Sequence, residues 1–191
     1  MILEYKKAVI SKIIETALEI FSTKGTRDLT MAEIAEKLGV SKGALYSYFT
    51  SKDEILKEIY QSGRQIIRKI LCASSDADDF TQAMEKIYQL TIEKYDKYIR
   101  IYFELLALAT HDEKIKKIVK DDYEKDFDVT HEFIQNLISK KKIRTDVDSR
   151  ILAQLFRSLW MGASEKLVLG YDPAEVHENW ITSTSLALGA R

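Results

Sequence analysis

Few residues in this chain can interrupt a helix. Pro173 is the single proline among 191 residues, and there are seven glycines. Apolar residues recur at steps of three and four, and no run shows the alternation of period two that a half-buried strand requires. The sequence therefore predicts an all-α fold, in which 46% hydrophobic residues suffice to fill a substantial core.

The N-terminal segment carries the start and stop signals of three helices. A first amphipathic helix is expected to end at Gly25, as a C-cap glycine would end it. Thr30 and Glu33 have the spacing of a capping box, Gly39 stops the second helix, and Ser41 is placed to cap a third. Two short helices joined by about three residues cross steeply, so this segment is predicted to be a helix-turn-helix unit.

Apolar and small residues are expected to close the crossing of the second and third helices. Ala35 is predicted to lie where the two helices approach most closely, and four apolar residues are predicted to seal the crossing: Ile34, Leu38, Val40 and Leu45. Four other residues join no apolar stripe and are expected to face outward: Lys42, Gly43, Tyr46 and Ser47.

Beyond this unit the pattern is that of a longer-helix bundle. A second capping box, Ser51 to Glu54, opens the next helix. The predicted helices span residues 52–72, 79–95, 97–110, 112–140, 147–169 and 173–189. We therefore predict a helix-turn-helix domain over residues 1–52 and a second, longer-helix domain over residues 53–191.

Several side chains of the N-terminal unit suit a phosphate backbone. They combine hydroxyls at helix starts, cations and phenols: Thr30, Ser41, Lys42, Tyr46, Tyr48 and Lys52. Charge itself argues weakly, because residues 1–52 have eight basic side chains against six acidic ones and the whole chain carries −1. Capping alone also explains Thr30 and Ser41, and Tyr48 could instead lie half-buried against the first helix.

The segment LTMAEIAEKLGVSKGALYSYFTSKDEIL, within residues 10–56, resembles the DNA-binding domain of the TetR family of transcriptional regulators. The resemblance implies phosphate contacts from five residues: Thr30, Ser41, Tyr46, Tyr48 and Lys52. It places Lys42 and Gly43 nearest the base edges. Tyr48 stands where many members have histidine, and Ser47 where many have tyrosine, so one aromatic phosphate contact is expected to be absent. The implied function is a homodimeric repressor that binds a palindromic operator of double-stranded DNA and is released by a small-molecule effector.

The last two predicted helices are the candidates for dimerisation, since each offers a broad apolar surface. The predicted interface residues are Leu155, Leu159, Ala163, Leu167, Val176, Trp180, Thr184 and Leu188. A purely intramolecular core is the alternative interpretation of the same stripes.

Aromatic residues of the bundle are the candidates for an effector pocket, and they favour an apolar or aromatic effector such as a fatty-acyl compound or a lipophilic drug. The predicted set is Tyr95, Tyr102, Phe103, Tyr123, Phe127, His131, Phe156 and Trp160. Such stripes also build ordinary cores, and His131 could be purely structural. A basic run could accept an anionic head group or could be a solvated turn: Lys140, Lys141, Lys142 and Arg144.

Enzyme chemistry has no support in the sequence, and no metal or cofactor is expected. The three histidines lack metal-ligand spacing, there is no glycine-rich phosphate loop, and Cys72 has no paired base. The unpaired Cys72, the absence of a signal peptide and the lack of an apolar run of ~20 residues predict a cytoplasmic protein without a membrane span. The rival hypothesis is a ligand-binding helical bundle that does not bind DNA.

Overall fold

The computed structural model describes residues 2–25 and 29–190, and the side chains of residues 2, 3, 24 and 94–96 stand outside that description. The described chain folds into helices only, which confirms the predicted all-α class. They are α1 (Ile2–Lys24), α2 (Met31–Leu38), α3 (Lys42–Tyr46), α4 (Lys52–Ser75), α5 (Phe80–Ala109), α6 (Glu113–Ser139), α7 (Ser149–Val168) and α8 (Pro173–Leu188).

The predicted helix boundaries are correct within three residues except at one place. A break was expected near Asp96 and Lys97, but α5 runs unbroken through both. The helix continues because neither residue is a proline or a glycine, the residues that interrupt a helix most readily. Lys97 is exposed, so this polar position belongs to the solvent face of one long helix.

The helices form two compact units. Unit 1 contains Met1–Gly63 and Lys97–Lys120. Its core is built on the apolar stripe of α1, which includes Ile14, Leu18 and Phe21, and on inward residues of α2 to α6. Gly25 ends α1 with a φ of 79°, a left-handed conformation that glycine adopts without steric cost.

Unit 2 contains Arg64–Asp96 and Asp121–Arg191. Its core joins residues of α4 to α8, and its largest fully buried side chains include Phe80, Met84, Ile134 and Trp180. Because α4, α5 and α6 each contribute to both units, the compact units do not divide the chain at residue 52. The division into residues 1–52 and 53–191 remains a prediction about function.

The basic run after α6 closes the C-terminal end of α4. Lys140 donates to the carbonyl of Ser75 at 2.8 Å, and Lys142 donates to the carbonyl of Ala77. The last carbonyls of a helix lack partners within the helix, so cations there satisfy them and oppose the negative end of the helix dipole. These contacts support the turn interpretation of the run over a binding site for an anionic head group.

Candidate functional site

Hydrogen bonds cap both ends of α2, and those at its C-terminal end form the turn to α3. The hydroxyl of Thr30 accepts from the N–H of Glu33 at 3.1 Å, as a helix cap. Gly39, with a φ of 69°, donates to the carbonyl of Glu36, and Val40 donates to the carbonyl of Ala35, both at 3.0 Å. These two bonds form a Schellman motif, which turns the chain sharply and favours glycine at the left-handed position.

The short helix α3 separates an inward side from an outward one. Leu45 is buried in the core of unit 1, and Phe49 follows it there. The predicted outward residues are all exposed in the structure: Lys42, Gly43, Tyr46 and Ser47. A contiguous polar surface that includes the start of α3 is therefore open to a partner.

Both capping hydroxyls remain able to bind a phosphate. The hydroxyl of Ser41 accepts from the N–H of Ala44 at 3.1 Å, and that of Thr30 accepts in the same way. An accepting hydroxyl keeps its own proton, so it can cap a helix and donate to a phosphate oxygen at once. The hydroxyl of Ser47 instead donates to the carbonyl of Ala44 at 2.7 Å. Capping and phosphate contact are thus compatible at Ser41 and Thr30.

Two residues of this region lie differently from the simplest expectation. Val40 was expected to seal the corner between α2 and α3, but it is 44% exposed, since the Schellman motif uses its backbone and leaves its side chain at the surface. Tyr48 is partly buried and packs on the unit 1 core, where it shares a groove of about 340 Å³ with Val9 and Lys12 of α1. The alternative of a half-buried Tyr48 is therefore supported.

The start of α4 is capped, although not by the reciprocal box that was predicted. Ser51 accepts from the N–H of Glu54 at 3.3 Å, whereas the carboxylate of Glu54 reaches the N–H of Thr50 at 2.6 Å. This bond to the Thr50 N–H lowers the pKa of Glu54 from its usual value. Lys52, the predicted phosphate contact, occupies the first position of α4 beside these caps.

A cluster of charged side chains lies inside unit 2, where the predicted pocket residues were all aromatic. We call Arg64, Asp122, Asp126 and Arg157 the ionic cluster. Arg64 on α4 forms an ion pair with Asp122 on α6, and both side chains are largely buried. Burial raises the pKa of Asp122, and the Arg64 guanidinium offsets part of that effect.

The other half of the ionic cluster is not paired by hydrogen bonds. Burial, and next the Asp122 carboxylate, raise the pKa of Asp126 to about 7. Among the described residues, Asp126 Oδ1 and Arg157 Nε are both enclosed and have no hydrogen-bond partner. Arg157 lies over the ring of Tyr123 with 4.5 Å between the guanidinium carbon and the ring centre. The Tyr123 hydroxyl is 3.2 Å from Gln154 Oε1, to which it donates.

The ionic cluster had one signal in the sequence. On the inner face of α6 the buried residues follow steps of three and four, and two carboxylates take positions of this stripe: Ile115, Val119, Asp122, Asp126, Val129 and Phe133. Charged residues are almost never buried without a partner, so their place in an apolar stripe predicts a buried polar site.

The residues predicted for an effector pocket do not form one group. Tyr95 lies outside the described side chains, and Tyr102 and Phe103 belong to unit 1, where their rings meet edge to face. In unit 2, Phe156 and Trp160 pack edge to face on Trp180, with ring centres 5.3 and 5.2 Å apart. Phe156 is almost fully enclosed by this packing, as a core residue is, and its assignment to a pocket wall stays a prediction.

The remaining members of the predicted pocket lie on α6 and contact α7. Phe127 stacks on His131 and has the guanidinium of Arg150 5.1 Å from its ring centre. His131 Nε2 is 2.7 Å from the hydroxyl of Ser149, which supports a structural role for this histidine. Tyr123 and Phe127 therefore remain the predicted aromatic residues whose rings contact charged side chains, those of Arg157 and Arg150.

The structure corrects the assignment of four residues to the dimer interface. Val176, Trp180, Thr184 and Leu188 are at most 2% exposed inside unit 2, so they cannot offer a surface to a second subunit. Their apolar pattern reflects packing within the chain, which was the alternative interpretation.

The outer faces of α7 and α8 nevertheless leave apolar surface in solvent. Leu155 is exposed, Leu159 and Leu167 are half-buried, and Ala163 is nearly enclosed. Leu169 and Leu186 are 67% and 77% exposed. A groove of about 550 Å³ runs between the two helices.

The described part of the chain shows neither a membrane-spanning helix nor a metal-binding cluster. No helix in the described part of the chain combines the length and the apolar character needed to cross a membrane. Within the same residues, no group of three or more histidine, cysteine or acidic side chains is arranged to hold a metal ion.

Comparison with known proteins matches both the N-terminal segment and the fold. The model of the family "Bacterial regulatory proteins, tetR family" matches residues 13–59. The uncharacterised HTH-type transcriptional regulator YfiR of Bacillus subtilis (strain 168) is 26% identical over 132 residues, which cover 63% of this chain and 61% of that protein. The probable acrEF/envCD operon repressor of Escherichia coli (strain K12) is 33% identical over 79 residues, 40% of this chain and 36% of its own length. Both matches thus span less than two thirds of the relative.

A solved structure resembles the whole chain. It is a transcriptional regulator from Saccharomonospora viridis in complex with choline, which has a TM-score of 0.71 and 18% identity over 91% of this chain and 94% of its own. At this identity the likeness concerns the fold.

Proposed function

We propose that this chain is a transcriptional regulator of the tetR family that binds double-stranded DNA through α1 to α3 and the start of α4, a proposal supported by the match of residues 13–59 to the family model. One observation carries the proposal. Leu45 and Phe49 anchor α3 in the core while the opposite side of the helix presents only exposed polar or small residues. A helix held in this way can enter a major groove without disturbing its own packing.

The proposed contacts fall into two classes. Phosphates are bound by residues at helix starts and by phenols: Thr30, Ser41, Tyr46, Tyr48 and Lys52. Base edges are approached by Lys42 and by the backbone at Gly43, with Ser47 beside them. Few long side chains are available for direct readout, so sequence-dependent DNA shape contributes to specificity.

The proposed working form is a homodimer on a palindromic operator. Two half-sites one helical turn apart, ~34 Å, need two α3 helices related by a two-fold axis. We assign the contact across this axis to the exposed apolar residues of α7 and α8, because a two-fold axis brings the same surface of both subunits together. Leu155, Leu169 and Leu186 are the strongest candidates for direct contact.

The proposed regulation is release from DNA by a small molecule bound in unit 2. The Saccharomonospora viridis regulator of similar fold was solved with choline, which supports a small-molecule site in this fold. A coupling of ~1 to 3 kcal/mol between ligand and DNA is enough to change operator occupancy many-fold. We therefore propose a repressor that an effector displaces.

The experiment is selection of bound duplexes from a random library, followed by titration of the winning duplex. A palindromic winner bound by two chains supports the regulator. No enrichment, with weak binding to every duplex, would leave the second candidate, a ligand-binding bundle without DNA binding. The unpaired polar atoms inside unit 2 are the observation that favours this second candidate.

A further inference from the structure

We infer that α7 crosses its own copy at Gly162 when two chains associate, so that Leu155 of one subunit lies against Leu169 of the partner subunit. The inference rests on the proposed homodimer and adds to it the point at which the two subunits meet and the register of their contact. The residues that carry it all belong to unit 2.

Gly162 is a glycine that its own chain does not require. It lies in the interior of α7 and its φ is not positive, in contrast to Gly170 just beyond the same helix. Glycine weakens a helix interior relative to alanine, because it loses more conformational freedom on folding. A Cβ added at Gly162 would meet no atom of the described chain within 4 Å, apart from its sequence neighbours and the backbone of α7 itself. The close approach of something outside the chain therefore explains the missing side chain.

The surface around Gly162 suits a second helix. Gly162 and Leu169 line the groove of about 550 Å³ between α7 and α8, and Leu159 and Trp180 contribute further apolar walls. Leu169 and Leu155 are exposed apolar side chains on this part of unit 2. Because Gly162 is exposed and has no side chain, the backbone of another helix can come closer to α7 there than at its neighbours.

The spacing of the exposed leucines selects a second copy of this chain as the partner. Leu155 stands seven residues before Gly162, and Leu169 stands seven residues after it. Seven residues are almost two helical turns, so the three positions follow one side of α7, and Leu169 keeps a helical backbone as the C-cap. In a two-fold contact, residue i meets residue j while j meets i. An axis through Gly162 therefore places Leu155 on Leu169 of the partner subunit at both ends of the contact.

The same spacing indicates the angle of the crossing. Apolar contacts repeated every seven residues are typical of helices that cross at about 20°. At a shallow angle the two copies of α7 stay close on both sides of Gly162, so that both leucine pairs can form. A steep crossing would bring only the residues next to Gly162 together.

The first test fills the crossing point. Gly162→Leu should raise the dissociation constant of the dimer about tenfold or more, because the added side chain keeps the two backbones apart. Sedimentation velocity over a concentration series measures this constant. Ala107→Leu enlarges an exposed small residue of α5 and is the control, which should leave the constant unchanged. A dimer that Gly162→Leu leaves intact would overturn the inference.

The second test asks whether the glycine serves the single chain. Gly162→Ala should have a denaturant midpoint equal to or above that of the wild type when both are diluted to monomers, because the added methyl group meets open space and alanine favours the helix. The dimer of this variant should nevertheless be weaker than that of the wild type. A lower midpoint of the monomer would assign Gly162 to the fold of one chain and overturn the inference.

The third test reads the register by mixing two variants. Leu155→Lys and Leu169→Glu each place a charge against a leucine at both ends of their own homodimer, so each should dissociate more readily than the wild type. In an equal mixture, the introduced lysine meets the introduced glutamate at one end and two leucines meet at the other, so heterodimers should form. Ile151→Glu mixed with Leu155→Lys is the control, and it should not restore the dimer because these two positions do not face each other. A mixture of Leu155→Lys and Leu169→Glu that stays monomeric would overturn the register.

The failure of this inference can be told from the failure of the proposed function. A wild type that is monomeric at every concentration would reject the homodimer and the crossing together. A dimer that is insensitive to Gly162→Leu would reject the crossing alone. Duplex selection with the same preparation reads DNA binding independently of both results.

Discussion

The indole N–H of Trp180 on α8 donates a hydrogen bond of 3.2 Å to the main-chain carbonyl of Met84 on α5. Trp180 therefore belongs to the interior of unit 2, where it fills space beside Phe156. Trp180→Ala should lower the free energy of unfolding by about 3 to 5 kcal/mol, because it leaves a large cavity and an unpaired carbonyl. Urea unfolding measures the change. The control Ile92→Ala removes a partly exposed side chain of α5 and should cost far less; equal losses would contradict the buried position of Trp180.

Dimerisation should depend instead on the exposed apolar residues of α7 and α8. Leu186→Lys places a charge where the proposed two-fold contact excludes water, so it should raise the fraction of monomer at a given concentration. Sedimentation velocity over a concentration series measures that fraction. Ile92→Lys, on α5, is the matched substitution and should leave the dimer intact. A wild-type protein that is monomeric throughout the series would refute the proposed dimer.

Lys142 should stabilise the end of α4 and the turn that follows it by about 1 to 2 kcal/mol, because it donates to the carbonyls of Ser75 and Ala77. Lys142→Met keeps most of the apolar stem and removes the donor. Denaturant unfolding should show the loss, and Lys69→Met on the exposed side of α4 should show almost none. If both variants are as stable as the wild type, the lysine contacts are solvent-screened and contribute nothing.

The raised pKa of Asp126 predicts a pH-dependent stability. The carboxyl titrates near 3.8 in the unfolded chain and at about 7 in the folded protein. The folded state thus binds this proton more tightly, and the contribution of Asp126 to stability falls as pH rises from 3.8 to 7.

Asp126→Asn removes this titration and leaves the charges of Arg64, Asp122 and Arg157 in place. The free energy of unfolding of the variant minus that of the wild type should therefore rise by about 1.4 kcal/mol per pH unit across the window and level off above neutral pH. Unfolding curves at a series of pH values give this difference. A difference that stays constant with pH would show that Asp126 is ionised normally in the folded protein.

Local signals in the sequence were enough to predict the turn that positions α3. Gly39, Thr30 and Ser41 act on backbone groups within a few residues, so their roles do not depend on the rest of the fold. Packing partners could not be predicted in the same way. The stripe of α8 correctly indicated burial of Trp180, but a stripe carries no information on whether the covering surface belongs to the same chain or to a second one.

The ionic cluster shows a second limit of prediction from the sequence. Asp122 and Asp126 take positions in the apolar stripe of α6, so the spacing indicates that they face inward but not which residues they pair with. Their partners Arg64 and Arg157 are distant in sequence and come together only through the packing of α4, α6 and α7. Such a long-range pairing is a property of the tertiary structure, and no local sequence motif predicts it.

The central claim, that the surface of α3 and the start of α4 binds DNA through phosphates, is tested most directly by the salt dependence of duplex affinity. The wild type and Lys52→Ala are compared on the selected duplex, with Lys69→Ala on α4 as the control of equal charge. We predict a steep salt dependence for the wild type and the control. The slope of log affinity against log salt should decrease by about one for each Lys52 lost from a half-site. Identical slopes and affinities for all three proteins would contradict the account.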